Sequence, residues 1–464
     1  MTEATILIST PVEILPAGGF IRDARILPYF SKNFKARGAS TVIYIPVNSV
    51  VSAIKLAIKG GSDINEAFKL VAKDLANNIR RNSVEAPLLD EALAEVPSAL
   101  KWELPSHATL SSRMLNKVLG FGYVYVHRIR SVEETLLKKF LKHVNSSFSR
   151  VGFVYSMNEN IEHFISLAIL VERLKTSAGI MLQLPLYAYP NIVSTSKQSL
   201  TVKIASWQLN SYLRGLFIAI TQKGYLRLVQ AVSPAPLVES YDLVDIARKY
   251  GVRISIPVPA NAFDKEILAY RSLQEKEPVA VYFGRLSPGK GLYDLLHVWS
   301  RVERALPKAK LLLIGSFASG KVEEKFNELK LKLGLKNVEY LGYFKHREEL
   351  YRQVSKAKVL IYPSHEDSFP LTMLEAVALG LVCVAYNIPA LNYVYKGIPA
   401  VTLVDEGDVE SLSKVAIRAL EMSYDEYLKI QTASEVMEFL RIYSSWENVA
   451  MAELSNILHI LNLS

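Results

Sequence analysis

The clearest alternation of hydrophobic and polar positions lies between residues 278 and 442. Short apolar runs, several of them ending at a glycine or a proline, predict buried strands at 279–283, 310–314, 338–341, 359–362, 382–386 and 399–404. Between and after them, apolar residues recur at helical spacing and predict helices over 292–305, 321–333, 347–355, 371–379, 408–422 and 424–442. This order of elements predicts a parallel sheet with helices on both faces.

The first half of the chain repeats this alternation less regularly. Strands are predicted at 5–9, 41–46, 122–126, 151–155, 179–184, 229–233 and 253–258, and a helical insertion at about 60–118. We therefore expect an α/β protein of two Rossmann-like, parallel-sheet domains facing a central cleft, with a linker near 259–278. The predicted domains are residues 1–262 and 263–445.

Composition narrows the class of protein. Half of the 464 residues are hydrophobic and 21% are charged, which excludes a largely disordered chain. The single cysteine, Cys383, excludes an intrachain disulfide and a cysteine-based metal cluster. We expect no secretory signal, because the N-terminus lacks a basic segment followed by a long apolar stretch. We expect no transmembrane helix, because no apolar run approaches the length of about 20 residues that a membrane span needs.

Positive charge is concentrated in the first half of the chain. Residues 1–265 contain 31 Lys and Arg against 20 Asp and Glu, a balance of +11, whereas the whole chain has a balance of +9. The basic half indicates an anionic partner, such as a membrane surface or a phosphorylated acceptor, or simply a solvated surface. We expect no nucleic-acid binding, because no recognition motif accompanies the charge.

A glycine-rich loop follows the predicted strand 279–283. Its sequence, Gly284-Arg285-Leu286-Ser287-Pro288-Gly289-Lys290-Gly291, nearly matches a P-loop, but Gly291 replaces the Ser or Thr that would hold magnesium. Two cations beside a helix N-terminus still favour an anion site, and a solvated loop is the alternative.

A second motif, residues 363–376, follows the predicted strand 359–362. Pro370 suits the first turn of a helix, whose free amides would attract an anion. Asp367 and Glu375 more plausibly accept hydrogen bonds from hydroxyls; a helix cap and a buried ion pair are their respective alternatives. Cations for phosphate together with acids for hydroxyls indicate a sugar nucleotide.

These motifs, in this order and spacing, resemble the retaining glycosyltransferases of family 4, which have the GT-B fold. The resemblance covers Val279 to about Leu420 and includes Phe283–Leu286, Lys290-Gly291, Asn337–Gly342 and the Asp367…Glu375 pair. A weaker similarity, Ser445-Trp446-Glu447, lies at the start of a final helix predicted at 446–464. In the family, this helix crosses back to the N-terminal domain.

The resemblance implies roles for individual residues. Arg285 and Lys290 would grip the donor diphosphate, Glu375 would hold the ribose, and Tyr343 and Phe344 would flank the base. Asp367 occupies the position of the acid that contacts the transferred sugar, where the family has a longer glutamate; Glu366 beside it is the alternative. The remaining donor-binding residues implied by the resemblance are Gly284, Ser368, Phe369, Leu371 and Thr372.

In the first half, the resemblance implies that Gly18 and Gly19 approach the donor phosphate and that His127, at the end of a strand, contacts the donor sugar. It also implies a reaction without a metal or other cofactor, in agreement with histidines that have no metal-ligand spacing. Many members act on lipid-linked acceptors at a membrane, so a cytoplasmic protein, peripheral at the membrane face, is expected. The basic or amphipathic stretches available for this contact are 22–37, 136–143 and 207–228.

We therefore expect a retaining, metal-independent hexosyltransferase that moves a sugar from a nucleotide-diphosphate donor to a hydroxyl of a glycan, lipid-linked or other acceptor. A sugar-nucleotide epimerase or a phosphorylase of the same fold is one alternative. A non-catalytic protein that binds sugar nucleotides is another, because Asp367 departs from the family's glutamate.

Overall fold

The chain divides into two compact units in the computed structural model. The structure describes residues 3–462 except 16–17, 60, 83, 101–111, 184–223, 225, 235–242 and 345. The first unit comprises residues 1–258 together with 449–464, and the second comprises 259–448. The first unit is therefore discontinuous in sequence, whereas the second is one continuous segment.

The first unit contains a six-stranded parallel sheet in the order β2-β1-β3-β4-β5-β6. Its strands are β1 Glu3–Ile8, β2 Ala39–Tyr44, β3 Arg150–Ser156, β4 Ser177–Leu182, β5 Ala231–Pro234 and β6 Arg253–Ile254. β1 and β4 are buried at every position except the first, because both faces of the sheet are covered. The sheet order reverses direction between β1 and β3, which leaves the ends of these two strands side by side.

Helices surround this sheet and fill the long connection between β2 and β3. They are Gly18–Ala36, Val47–Lys59, Ile64–Arg81, Leu89–Leu100, Ser112–Ser147, Ile161–Leu174 and Leu243–Tyr250. The helix Ile64–Arg81 begins where the Asp63 side chain accepts hydrogen bonds from two backbone amides.

The helix Trp446–Ile460 leads the chain back into the first unit. Its buried residues include Val449, Leu454 and Ile457. Glu453, also buried, forms an ion pair with Arg22 and accepts a hydrogen bond from the Tyr155 hydroxyl. This short stretch therefore supplies both apolar and charged parts of the first unit's core.

The second unit contains another six-stranded parallel sheet, in the order β12-β11-β10-β7-β8-β9. This is the doubly wound order in which the direction of winding reverses at β7 and β10. Its strands are β7 Val279–Phe283, β8 Lys310–Ile314, β9 Val338–Gly342, β10 Val359–Tyr362, β11 Val382–Tyr386 and β12 Val401–Val404. Its helices are Leu292–Ala305, Gly320–Lys332, Arg347–Val354, Leu371–Ala378, Pro389–Tyr395, Val409–Glu421, Tyr424–Gln431 and Ser434–Tyr443.

The predicted fold class, α/β with two parallel sheets, is confirmed, with local differences. The strand predicted at 122–126 is wrong, because these residues lie within the helix Ser112–Ser147. The helix predicted over 424–442 is two helices, with a break at residues 432–433. Among the described residues, no helix combines the length and the apolar character needed to cross a bilayer.

Candidate active site

The two sequence motifs of the second unit meet at the switch point of its sheet. β7 and β10 are paired, with Val281 opposite Leu360, so the loops that follow them leave the sheet side by side. Ligands bind open α/β sheets in the crevice at this position, beyond the carboxyl ends of the strands. The sheet order therefore explains why motifs about 80 residues apart in sequence form one site.

Gly291 allows the two loops to approach each other. Its φ of +73° lies in the left-handed region, and a Cβ at this position would lie 1.8 Å from the carbonyl oxygen of Pro363. The loop before it forms a 3-10 turn, Pro288–Lys290. Backbone contact with the second loop is completed by the His365 amide, which donates to the Gly289 carbonyl at 3.0 Å.

Lys290 and Asp367 form the centre of the site. The Lys290 Nζ lies 2.9 Å from the Asp367 Oδ2 and donates to the Glu366 carbonyl at 2.6 Å. Asp367 also accepts a hydrogen bond from the Tyr362 hydroxyl at the end of β10. Arg285 is exposed at the mouth of the same loop, and Gly284 precedes it in a conformation with φ of +136°. The structure thus places a cation and a carboxylate from the two motifs in direct contact.

The remaining residues of the second motif are half-buried along the start of the helix Leu371–Ala378. Glu366 lies against Gly289, and the Thr372 hydroxyl lies near Gly284, so both face the first loop. Ser368 and Phe369 precede the helix, and the Phe369 ring packs near Tyr443. The Leu371 amide donates to the Phe369 carbonyl at 3.0 Å, so the expectation of an unpaired donor there is wrong.

Glu375 lies one turn further along this helix, and its side chain is only 7% exposed. Its Oε1 lies 3.0 Å from the Arg347 Nη2, and the Tyr351 hydroxyl donates to the same oxygen at 3.4 Å. Burial raises the pKa of Glu375, and the Arg347 guanidinium opposes this effect. Arg347 belongs to no sequence motif and was not predicted as part of the site.

Tyr343 and Phe344 follow β9 at the same edge of the sheet. Tyr343 is exposed, whereas Phe344 packs partly against the core of the unit. An exposed aromatic ring at the carboxyl ends of the strands, two strands from β7 in the sheet order, is available to a planar ligand.

His365 joins three elements around the second motif. Its Nε2 lies 3.1 Å from the Asp294 Oδ2, and its Nδ1 lies 2.8 Å from the Glu406 Oε1. Tyr386 also donates to Asp294, at 2.9 Å. The hydrogen bond to Asp294, followed by that to Glu406, raises the pKa of His365 above its usual value of 6.5, although burial opposes the shift.

This pKa shift predicts a pH-dependent contribution to stability. Because the folded-state pKa is raised, protonated His365 stabilises the folded chain fully below pH 6.5, and the contribution is lost as pH rises through the raised value. The unfolding free energy, measured in urea, should be higher for wild type than for His365→Gln. This difference should be larger at pH 5.5 than at pH 8.5. An equal difference for His365→Gln at both pH values would contradict the assignment.

The first unit gathers buried polar groups at its own switch point. Gly18 and Gly19 begin the helix Gly18–Ala36, and a Cβ on Gly19 would lie 2.9 Å from the Asn158 amide nitrogen. Gln183, after β4, donates to Asp23 at 3.4 Å, and burial raises the pKa of Asp23 well above its usual value. Asp23, within the helix Gly18–Ala36, and Gln183, directly after β4, belong to no sequence motif; only the folded sheet brings them together.

His127 lies in the helix Ser112–Ser147, not at the end of a strand. The alternation of aromatic and β-branched residues in 123–126 favours a strand locally, but the segment continues a long helix. The strand end on which the role of His127 depended is therefore absent at this position. Its side chain lies outside the described residues.

The basic stretches of the first unit have different environments. Arg22, expected on a basic surface, is instead buried in its ion pair with Glu453. In 136–143, Leu137 and Phe140 are buried, while Lys138, Lys139 and Lys142 are exposed. Most of the predicted helix 207–228 lies outside the described residues.

Within the described residues, no group of three or more His, Cys, Asp or Glu side chains is arranged to hold a metal ion.

Comparison with known proteins identifies the family that the second unit resembles. Residues 264–435 match the family described as glycosyl transferases group 1. An uncharacterized glycosyltransferase of Methanocaldococcus jannaschii is 30% identical over 24% of this chain and 26% of its own length. The O-antigen chain mannosyltransferase B of Escherichia coli is 25% identical over 36% of this chain and 42% of its own length. The matched region thus spans less than half of these two curated relatives.

A solved structure extends the likeness to the fold of the whole chain. The Anabaena protein HepE in complex with UDP and glucose superimposes with a TM-score of 0.54 and 12% identity, covering 100% of both chains. The resemblance inferred from the sequence motifs is confirmed. Residues 264–435 therefore form a domain of the group 1 glycosyltransferase type, and the chain as a whole has the GT-B fold.

Proposed function

We propose that this protein is a retaining glycosyltransferase that moves a hexose-type sugar from a nucleotide-diphosphate donor to an acceptor hydroxyl. The observation that carries the proposal is the contact of Lys290 with Asp367 at the switch point, with Arg285 exposed beside it. A relative named as a mannosyltransferase and a structural neighbour that binds UDP and glucose support the substrate class.

The chemistry follows from the charges of the site. A departing nucleoside diphosphate develops negative charge, which Lys290 and Arg285 would neutralise in place of a metal ion. Asp367, held by Lys290 and Tyr362, or Glu366 beside it, would accept hydrogen bonds from hydroxyls of the transferred sugar. Glu375 would do the same for the ribose, and Tyr343 and Phe344 would flank the base.

The acceptor is a glycan, a lipid-linked sugar or another hydroxyl compound. Lys138, Lys139 and Lys142 offer an exposed basic row to an anionic membrane, at about 1 kcal/mol for each cation near the surface. The apolar side of this stretch is buried in the core, so contact with lipid would be electrostatic and would weaken as salt increases.

Binding of the donor nucleotide tests this function first. We expect one of UDP, GDP and ADP to raise the melting temperature saturably without metal, by an amount that corresponds to about 2.7 kcal/mol at 100 times Kd. The shift should be lost in Lys290→Ala. Nucleotide release that depends on an acceptor, with the product's anomeric configuration read by NMR in the presence of EDTA, would then establish retaining, metal-independent transfer.

Other outcomes would point to the alternatives. Conversion of the sugar nucleotide without any acceptor would indicate an epimerase, and consumption of phosphate would indicate a phosphorylase. Binding without turnover would indicate a protein that only recognises sugar nucleotides. Lack of stabilisation by all three nucleotides, in a protein shown to be folded by circular dichroism, would contradict the donor site itself.

A further inference from the structure

Arg347 is held between two carboxylates at the edge of the candidate site. Its Nη2 lies 3.0 Å from the Glu375 Oε1, and its Nη1 lies 3.8 Å from the Asp264 Oδ2. Its planar guanidinium also lies 6.0 Å from the centre of the Tyr351 ring. A planar fork of donors between two acids and an aromatic ring has a fixed direction, which a lysine would not reproduce.

Asp264 is itself fixed in place. Its Oδ1 accepts a hydrogen bond from the Trp446 Nε1 at 2.8 Å. The position of Arg347 is therefore set from one side by Trp446 through Asp264, and the position of Glu375 is set by Arg347. This chain of contacts lies within the second unit.

The two partners differ greatly in exposure. The Arg347 side chain is 53% exposed, whereas that of Glu375 is 7% exposed. A buried carboxyl with no cation beside it favours its neutral form. A neutral carboxyl has lost acceptor capacity, because one of its oxygens carries a proton. An ionised Glu375 can accept from two neighbouring hydroxyls, and the adjacent cation favours that state.

We propose that Arg347 is a positioning residue for ribose recognition, which keeps Glu375 ionised and aimed at the ribose hydroxyls. The proposal rests on the proposed function, because it deepens the role of the donor site. Arg347 is outside the motifs that indicated this site, and its part follows only from the folded arrangement.

The charged and titratable groups around Glu375 set the expected pH dependence. They are Arg347 and Tyr351 on one helix, Asp264 before the 3-10 turn at 265–270, and Tyr395 from the helix Pro389–Tyr395. Burial and Asp264 favour protonation of Glu375, whereas Arg347 and the Tyr351 hydroxyl oppose it. Removal of the guanidinium therefore raises the pH at which Glu375 ionises.

The test compares Arg347→Gln with Arg352→Gln, a matched control for an exposed arginine on the same helix. Calorimetry would measure Kd for UDP, GDP and ADP and for their 2′-deoxy and 3′-deoxy forms between pH 6 and 9. For the nucleotide that wild type binds, Arg347→Gln should weaken binding by about tenfold at pH 6 and recover part of it by pH 9. Arg352→Gln should behave as wild type, and Arg347→Lys should restore part of the affinity.

The deoxy nucleotides distinguish positioning from other roles. Wild type should lose affinity when a ribose hydroxyl is removed. Arg347→Gln should lose much less affinity, because its Glu375 already accepts a weaker hydrogen bond from that hydroxyl. An unchanged Kd in Arg347→Gln would overturn the proposal. An equal loss of affinity for the ribose and deoxyribose forms at every pH would also overturn it. That result would indicate that Arg347 contacts the phosphates directly or that its replacement distorts the site.

A measurement without nucleotide separates this proposal from the proposed function. Carboxyl carbon NMR of Glu375 should show a higher pKa in Arg347→Gln than in wild type. Failure of wild type to bind any nucleotide, with this pKa difference present, would refute the donor site and with it the ribose role. An unchanged pKa, with nucleotide binding intact in wild type, would refute only the positioning role of Arg347.

Discussion

Replacement of Lys290 by alanine should lower kcat/KM for sugar transfer by about 10²–10³-fold. Lys290 is the cation that the structure brings into contact with the second motif, 2.9 Å from Asp367 and 2.6 Å from the Glu366 carbonyl. Because negative charge develops on the departing diphosphate, loss of this ammonium should destabilise the transition state more than the bound substrate. We therefore expect kcat to fall by a larger factor than KM rises.

The exposed Lys332, at the end of the helix Gly320–Lys332, provides the matched control. Lys332→Ala removes the same charge from the same unit and should retain wild-type kinetics. Circular dichroism and melting temperature without nucleotide would show whether Lys290→Ala remains folded, since Asp367 loses its ionic partner. A folded Lys290→Ala variant within threefold of wild-type kcat/KM would refute the role of Lys290 in leaving-group stabilisation.

Replacement of Gly291 by alanine should destabilise the chain strongly. The left-handed φ of +73° costs an alanine about 1–2 kcal/mol. Its Cβ would also lie 1.8 Å from the Pro363 carbonyl oxygen, so the two loops would have to separate, at about 1–3 kcal/mol more. Urea unfolding would measure the loss of stability. Nucleotide binding should weaken as well, because Lys290 and Asp367 move apart with their loops.

Gly397 isolates the contribution of the close approach. Its φ of +84° is similar, but no atom lies within 4 Å of a Cβ built there. Gly397→Ala should therefore lose only the conformational part and keep its nucleotide affinity. Equal losses of stability in the two variants would contradict the tight packing of the Gly291 loop against Pro363.

Local sequence was sufficient for most of the second unit. Its strands are short apolar runs, and Gly284, Gly315 and Pro363 follow three of them, so composition and boundary agree. Residues 123–126 show the opposite case, because aromatic and β-branched residues suit a strand yet form part of a helix. The helix Pro389–Tyr395 was not predicted, since seven residues give too little periodicity to identify.

The candidate site was predictable as far as its residues follow strand ends. Lys290 and Asp367 could be proposed together because both follow predicted strands of one parallel sheet. The partners of Glu375 and His365 could not, because they depend on sheet order and helix placement rather than on local pattern. Arg347 is 28 residues before Glu375, and Asp294 is 71 residues before His365, with no spacing rule linking either pair.

The discontinuous first unit has a consequence for the order of events during translation. Arg22 is synthesised early, but its partner Glu453 emerges only after the whole of residues 259–448 has been made. Until then the first unit would have to bury a guanidinium without the Glu453 carboxylate, its direct ionic partner, which is unfavourable although Asp23 lies nearby. The second unit is one continuous segment, so all of its residues are synthesised before Glu453. It can therefore fold before the first unit is complete, although it comes second along the chain.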